Sequence, residues 1–470
     1  MSKPVVYVDL DGTLTPSDVL IESCLLLLRK NLLYGFAMIF WALKGGLYLK
    51  QRVALHVKPD MRHLPMNAQV LARLNEFKAA GHELVLASAS LLRDVSSLAQ
   101  RLGIFDRVLA TTNENLKGVR KLRAIQADAN GVPFVYFGDS EVDLPIWQEA
   151  SVAYAVNASA LVHARAKLQG VVLHRIDSPS VSIRAWLKAV RFQQWAKNAL
   201  LFLPLIAAHE QSLELWALAL NAFLAFGLVA SATYLWNDLM DLEADRQHPR
   251  KCKRPMACGV ISIPKALMCM LLLGGLGFAV ACVQVGVAFA LVLLGYALVT
   301  LLYTFVLKRT AFVDVLLLAM LYTVRVIAGG VATGIALSSW LLAISLFVFL
   351  SLALVKRCAE LEFLSEQGSQ PQGRGYRMSD LSYLVSMGIS SGFVAVLVLA
   401  LYVDSQNGTR LYRHPEFLWA ICPLFLYWLM RIWILTSRKE MIDDPVHFAL
   451  HDPVSWAVVL TAGALIFLAA

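Results

Sequence analysis

Asn237-Asp238-Leu239-Met240-Asp241-Leu242-Glu243-Ala244-Asp245, continued by Arg246-Gln247-His248-Pro249-Arg250-Lys251-Cys252-Lys253-Arg254-Pro255, lies between two long apolar runs. Asp238, Asp241 and Asp245 follow at intervals of three and four, which places them on one face if the preceding helix continues through them. The bland reading is a solvated charge run beside a membrane. The one-face spacing argues against it, because three carboxylates on one stripe repel unless a divalent cation joins them, and such a cation can bridge a diphosphate.

The surroundings of this stretch are those of a membrane protein. Of 470 residues, 58% are hydrophobic and 16% charged, against roughly a quarter charged in soluble chains. From about Ala199 onward the sequence is a series of apolar runs, each near the roughly 20 residues that carry a helix across ~30 Å of hydrocarbon. About nine spans are expected, centred near residues 203, 225, 273, 296, 322, 346, 393, 426 and 461. Alternate loops are basic: Arg246, Arg250, Lys251, Lys253 and Arg254; Lys308 and Arg309; Lys356, Arg357, Arg374 and Arg377; Arg438 and Lys439. Only Arg410 and Arg413 break the alternation. This positive-inside pattern places the basic loops on the cytoplasmic face of a plasma membrane and accounts for the net charge of +9 without nucleic acid.

Up to about Ser180 the composition is that of a soluble α/β protein. Short apolar segments, Val5–Val8, Leu84–Ala87, Phe134–Phe137 and Val152–Val156, alternate with helical patterns such as Gln69–Ala80 and Val95–Leu102, so a doubly wound parallel sheet is expected. The opening Met1-Ser2-Lys3-Pro4 leads straight into the first strand with no secretory pattern, so this head is expected in the cytoplasm. The seven cysteines show no metal spacing and read as reduced packing residues.

Polar groups gather where the strands end: Asp9-Leu10-Asp11-Gly12-Thr13, Ser88, and Gly138-Asp139-Ser140 with Asp143. Capping explains one such group better than three. The pattern resembles the haloacid dehalogenase-like phosphatase superfamily over roughly residues 4–175. The resemblance implies Asp9 as nucleophile and Asp11 as general acid–base. It also implies Ser88 and a lysine on the phosphoryl group, with Mg2+ held by Asp9, Asp139 and Asp143. Lys121 matches the lysine spacing best, with Lys117 as the alternative. A helical insertion, about residues 16–66, corresponds to a substrate-selecting cap. Its run Leu32–Trp41 is either a cap helix buried against the core or a surface that meets membrane or lipid-linked substrate.

The 237–255 stretch resembles the first motif of the UbiA superfamily, NDxxDxxxD, and the likeness extends over roughly residues 190–470. The tail His248-Pro249-x-Lys251-x-x-Arg254-Pro255 and the segment Gln194-Trp195-Ala196-Lys197-Asn198 look like the branch typified by decaprenyl-phosphate phosphoribosyltransferases. Prenyltransferases of this fold usually carry a second acidic motif. Here the corresponding loop reads Lys356-Arg357-Cys358-Ala359-Glu360, with two cations for one carboxylate. That exchange suits a donor with an extra phosphate and an acceptor that is itself a phosphate.

The expectation is therefore a fusion: residues 1–180 an α/β Rossmann-like phosphatase domain, residues 181–470 an all-α polytopic membrane transferase. The resemblance implies Mg2+ at Asp238, Asp241 and Asp245, with Asp238 and Asp241 catalytic. Phosphoribosyl pyrophosphate and a polyprenyl phosphate would be bound by Asn237, Lys197, Lys251, Arg254, Lys308, Lys356 and Arg357. Arg325, eleven residues beyond Asp314 and so roughly 16 Å along a helix, either faces a polar cavity or anion or pairs with an internal carboxylate or carbonyl. Tyr303 and Tyr322 line that cavity or anchor the interface. The head would then dephosphorylate the lipid-linked product on the way to a pentose donor of the arabinose type. The rival expectation is an aromatic or quinone-precursor prenyltransferase with a regulatory or unrelated head.

Overall fold

The computed structural model describes residues 3–305, 307–366, 375–405, 412–441 and 444–469. Arg374 and Arg410 lie outside them, as does the side chain of Arg309. Two compact units form, and they do not follow chain order. One comprises Met1–Val190 with Tyr234–Cys269, the other Arg191–Thr233 with Met270–Ala470.

In the first unit, six parallel strands take the order β3-β2-β1-β4-β5-β6. They are β1 Val5–Val8, β2 Leu84–Leu91, β3 Arg107–Thr111, β4 Phe134–Gly138, β5 Val152–Val156 and β6 Leu173–Ile176. Alternate side chains of β1 divide between two cores. Val6 and Val8 pack with Leu84, Leu86, Val70, Leu74 and Val95. Val5 and Tyr7 pack with Val85, Tyr136, Ile125 and Trp147 on the opposite face. The sequence pattern located the four inner strands. The edge strands β3 and β6 escaped it because Arg107, His174 and Arg175 interrupt their apolar runs. Between β1 and β4 the winding reverses, and crevices at such reversals hold ligands in doubly wound sheets.

The cap consists of α1 (Val19–Lys30), α2 (Tyr34–Leu43) and α3 (Gly46–His56). Asp18 caps α1 by accepting from the Ile21 N–H at 3.0 Å. Helix α2 is not buried against the core; none of its residues is fully buried. Its Tyr34, Met38 and Trp41 pack on Leu27, Val53 and Val57 of the neighbouring cap helices, while its remaining bulky side chains face outward.

Seven helices are long and apolar enough to cross a membrane: Leu213–Met240, Ile263–Val285, Val287–Phe305, Val313–Thr333, Ser339–Phe363, Met378–Asp404 and Pro415–Ser437. The pair Pro445–His451 and Pro453–Ala469, bent by 80° at Pro453, makes up to eight among the described residues. The expected count of nine is thus high by the first span. Around residue 203 the chain instead forms a 3₁₀ run, Phe192–Phe202, and a short helix, Leu203–Ala207, whose first turn holds Pro204. Proline favours a helix start and lacks the N–H that would continue the preceding turns. The 3₁₀ run approaches Gly329 so closely that a Cβ there would lie 2.1 Å from the Leu201 carbonyl oxygen.

Gly329→Ala should therefore displace backbone and lower stability by about 1–3 kcal/mol, the usual cost of overpacking. Gly275, with nothing within 4 Å of its would-be Cβ, is the control. Thermal unfolding in detergent checks this: Gly329→Ala melts earlier and Gly275→Ala does not.

Candidate functional site

The ends of β1 and β4 bring one lysine among three aspartates. Lys121 Nζ lies 2.8 Å from Asp9 Oδ2 and 3.8 Å from Asp143 Oδ1, and donates to the Tyr136 hydroxyl at 3.1 Å. That hydroxyl donates to Asp143 at 2.8 Å. Asp143 is fixed further by the backbone N–H groups of Asp139 and Ser140, both at 3.2 Å. Of the two candidate lysines, Lys121 is the one that reaches Asp9. Tyr136, which orients both charges, was hidden in the sequence because it reads as one more apolar strand residue.

Oxygens of Asp9, Asp139 and Asp143 all lie within 4.8 Å of one another, the one such triad of potential metal ligands among the described residues. Burial, with the neighbouring Asp143 and Asp9 charges, pushes the Asp139 carboxyl up to about 8. Burial also raises Asp9, against the pull of Lys121. Hard carboxylate oxygens crowded in this way fit a divalent cation such as Mg2+. Gly12 belongs to the same cradle: at φ +78° it passes so near Asp139 that a Cβ would sit 2.2 Å from Oδ2.

Asp11 points to the cap side. Its Oδ1 accepts from the Val19 N–H at 2.8 Å, at the start of α1, and its Oδ2 accepts from Ser90 Oγ at 2.7 Å. Burial, then the Asp18 charge, pushes its pKa up to about 7, a value suited to giving and taking a proton. Ser88 is wholly buried within β2, which runs four residues further than the apolar pattern indicated, and its Oγ accepts from the Ser90 N–H at 3.0 Å.

The aspartate-rich stretch packs in this same unit. The span Leu213–Met240 does not continue as one helix; it breaks at Asp241, and a short helix, Leu242–Gln247, follows. Aspartate favours such breaks because its short side chain competes for backbone hydrogen bonds. Two of the three carboxylates, those of Asp238 and Asp245, are drawn together by another route, while Asp241 lies beside Arg29. Arg254 Nη1 lies 2.9 Å from Asp238 Oδ1 and 2.6 Å from Asp245 Oδ2. Burial pushes the Asp245 carboxyl up to about 6, against the pull of Arg254. Asn237 is half-buried in the last turn of the span, and Lys251 sits in the 3₁₀ turn Lys251–Lys253.

Helix α1 meets this stretch along its length. Glu22 accepts from Arg246 Nη1 and Nη2 at 2.8 and 2.7 Å, with both side chains more than nine-tenths buried. Arg29 lies 3.5 Å from Asp241. Glu243 accepts from the Asp60 N–H at 3.0 Å. No periodicity could have predicted these pairings, which join residues more than 180 positions apart.

In the second unit, the ammonium groups of Lys197 and Lys356 both donate to Asp444 Oδ2, at 2.7 and 2.8 Å. Burial opposes the Asp444 charge, but Lys356 and Lys197 hold its carboxyl well below the usual carboxylate range. Asp444 was not anticipated. Arg325 donates to Asn198 Oδ1 at 3.0 Å, to the Tyr296 hydroxyl at 3.2 Å and to the Leu321 carbonyl, with its guanidinium 5.6 Å from the Tyr322 ring centre. Arg357, 1% exposed, pairs with Asp314 at 2.8 Å and with Glu360. Tyr376 donates to the same Asp314. Lys308 lies half-buried in the turn Leu307–Arg309, and Tyr303 in the preceding span.

Two family profiles match the chain: haloacid dehalogenase-like hydrolase over residues 6–148 and UbiA prenyltransferase family over residues 199–451. An uncharacterised Sinorhizobium fredii protein, y4nM, is 36% identical over 465 residues, 97% of this chain and 89% of that protein. The decaprenyl-phosphate phosphoribosyltransferase of Mycobacterium tuberculosis is 32% identical over 297 residues, 61% of this chain and 96% of that protein. A solved UbiA homologue from Archaeoglobus fulgidus, bound to GPP and Mg2+, is 17% identical with a TM-score of 0.46, covering 60% of this chain and 99% of that chain.

Two outcomes follow from the geometry. Asp11 and Asp139, raised to about 7 and 8, hold protons that an unfolded carboxylate gives up near ~4. The metal-free fold therefore loses stability as pH rises through that window. Mg2+ favours the ionised forms, so it should raise the melting temperature more at about pH 8 than at about pH 5; equal shifts contradict this. Glu22→Met alone strands the Arg246 charge and should cost about 3–5 kcal/mol, most of it recovered in Glu22→Met/Arg246→Met. Chemical denaturation of the two variants measures both.

Proposed function

The chain belongs to the UbiA prenyltransferase family and carries a haloacid dehalogenase-like domain, and from that premise we propose that it transfers 5-phosphoribose from phosphoribosyl pyrophosphate to a polyprenyl phosphate, and that its head then removes the 5-phosphate. The convergence of Lys197 and Lys356 on one carboxylate oxygen carries the choice of donor. It marks a place where two cations already hold an anion, as a substrate with an additional phosphate requires. The 32% identity to a decaprenyl-phosphate phosphoribosyltransferase supports the same choice.

In this reading an oxygen of the lipid phosphate attacks the ribose anomeric carbon, the bond from that carbon to pyrophosphate breaks, and pyrophosphate leaves. Lys251 and Arg254 would hold the diphosphate end, beside the cation that Asp238, Asp241 and Asp245 would bind; Asn237, Lys308, Lys197 and Lys356 would orient the remaining phosphates. Arg325 and Arg357, engaged by protein groups, position the surrounding helices.

In the head, an Asp9 oxygen attacks phosphorus, the bond from phosphorus to the sugar oxygen breaks, and Asp11 gives that oxygen its proton. Water then attacks the phosphorus of the aspartyl phosphate, Asp11 takes a proton from it, and the bond to Asp9 breaks, releasing inorganic phosphate. Lys121 and Ser88 steady the phosphoryl oxygens. Asp9, Asp139 and Asp143 in the head, and the aspartates of the 237–255 stretch in the transferase, would hold Mg2+, which would supply charge neutralisation to the phosphates. The alternation of basic loops supports a cytoplasmic face for the sites.

The purified protein, given Mg2+, phosphoribosyl pyrophosphate and a polyprenyl phosphate, should yield lipid heavier by ribose. Asp9→Asn should stop at lipid heavier by ribose and phosphate, and Asp238→Asn should add nothing. Transfer from an allylic diphosphate instead, with none from phosphoribosyl pyrophosphate, would replace this reading with the prenyltransferase one. Mass spectrometry of the extracted lipid reads every case.

A further inference from the structure

Helix α2 is an apolar surface in search of a solvent. Leu33, Phe36, Ile39, Phe40 and Leu43 are 57–82% exposed, although each would be buried in an ordinary soluble domain. Residues 33, 36, 40 and 43 recur at intervals of three and four and so form one stripe. The opposite face is fixed to the cap: Tyr34, Met38 and Trp41 pack on Leu27, Val53 and Val57, and the Trp41 ring stacks on His56 at 5.9 Å. The outward face is thus held rigidly outward.

Charge says what covers it. Between Glu22 and Asp60 there is no acidic residue, while Arg29, Lys30, Lys44, Lys50, Arg52 and Lys58 are all cationic. Of these, Lys30, Lys44, Arg52 and Lys58 are exposed. Lys44 lies 4.6 Å from the Phe40 ring centre and Arg52 lies 5.1 Å from that of Tyr48, so cations flank the apolar stripe. A second copy of this surface would meet like charge. At ten residues α2 is about half the length needed to span a bilayer. An apolar face with a cationic rim and too little length to cross is the form of helix that lies in the headgroup region of an anionic membrane.

We propose that α2 is a lipid-docking surface: Leu33, Phe36, Ile39, Phe40 and Leu43 enter the boundary between headgroups and acyl chains, and Lys30, Lys44 and Arg52 meet the phosphates of anionic lipids. The cap is thereby tethered to the bilayer at the level of the lipid headgroups. Its neighbours α1 and α3 supply Val19, Ser23, Lys50 and Val53 to a cavity that also touches Ser90, the partner of Asp11. The docking surface does not depend on which phosphate ester the head hydrolyses.

Spin labels on the full-length chain in nanodiscs test this. In a background freed of native cysteines, labels at Phe36→Cys and Leu43→Cys are compared with one at Leu168→Cys, an 86% exposed position elsewhere on the head. In phosphatidylethanolamine–phosphatidylglycerol discs, the first two should collide more with oxygen than with a water-soluble nickel chelate, and the third the reverse. Collision patterns at 36 and 43 matching that at 168 would overturn the proposal by placing α2 in water. Labels shielded from both reagents would overturn it in favour of a protein partner. In phosphatidylcholine discs the immersion should lessen; unchanged immersion would overturn the part assigned to Lys30, Lys44 and Arg52.

Discussion

The buried pair of Glu22 and Arg246 is the constraint on which the first unit turns. Two charges withdrawn from water are costly unless each finds nearly all its partners in the fold, which makes their geometry demanding. Here Glu22 takes two guanidinium nitrogens and a bond from Ser17, while Arg246 also donates to the Ala257 carbonyl at 3.2 Å. The pair therefore fixes α1 to the stretch after Asp245. Since α1 begins on Asp11 and ends with Arg29 beside Asp241, one helix of twelve residues touches both the end of β1 and the aspartate-rich stretch. In this light the head is a structural part of the transferase loop as well as an appended hydrolase.

A common electrostatic arrangement recurs across the chain. Asp9 and Asp143 crowd around Lys121; Asp238 and Asp245 share Arg254; Lys197 and Lys356 share Asp444. In each place a charge of one sign is outnumbered by its partners, so the cluster carries a surplus that a ligand of the complementary sign relieves. Carboxylate surplus suits a divalent cation, and ammonium surplus suits a phosphate. Arg357 with Asp314 and Glu360 shows the same excess of carboxylate over cation.

Local pattern was legible in the sequence wherever one physical rule dominated. Strands buried on both faces read as continuous apolar runs, and apolar length announced the membrane spans. The edge strands Arg107–Thr111 and Leu173–Ile176 were not legible, because exposure on one side removes that signature. Nor was the fate of the run near residue 203, where composition matched a span but Pro204 and the approach to Gly329 produced a short bent segment. In the sites, the residues with charge and motif spacing could be named; their supports, Tyr136, Ser90 and Asp444, could not, since a tyrosine in a strand or an aspartate before a proline carries no functional signal by itself. The contacts of Glu22 and Arg29 were the least legible, being set by tertiary approach alone.

The central claim, that the head's first helix and the aspartate-rich stretch are one body, is tested most directly by hydrogen–deuterium exchange on the full-length chain carrying Glu22→Gln. Amides of Val19–Lys30 and of Leu242–Arg254 should exchange faster together, while those of β1 and β4 stay protected. If the Leu242–Arg254 amides exchange at their original rate, the stretch keeps its shape without the head and the claim is wrong.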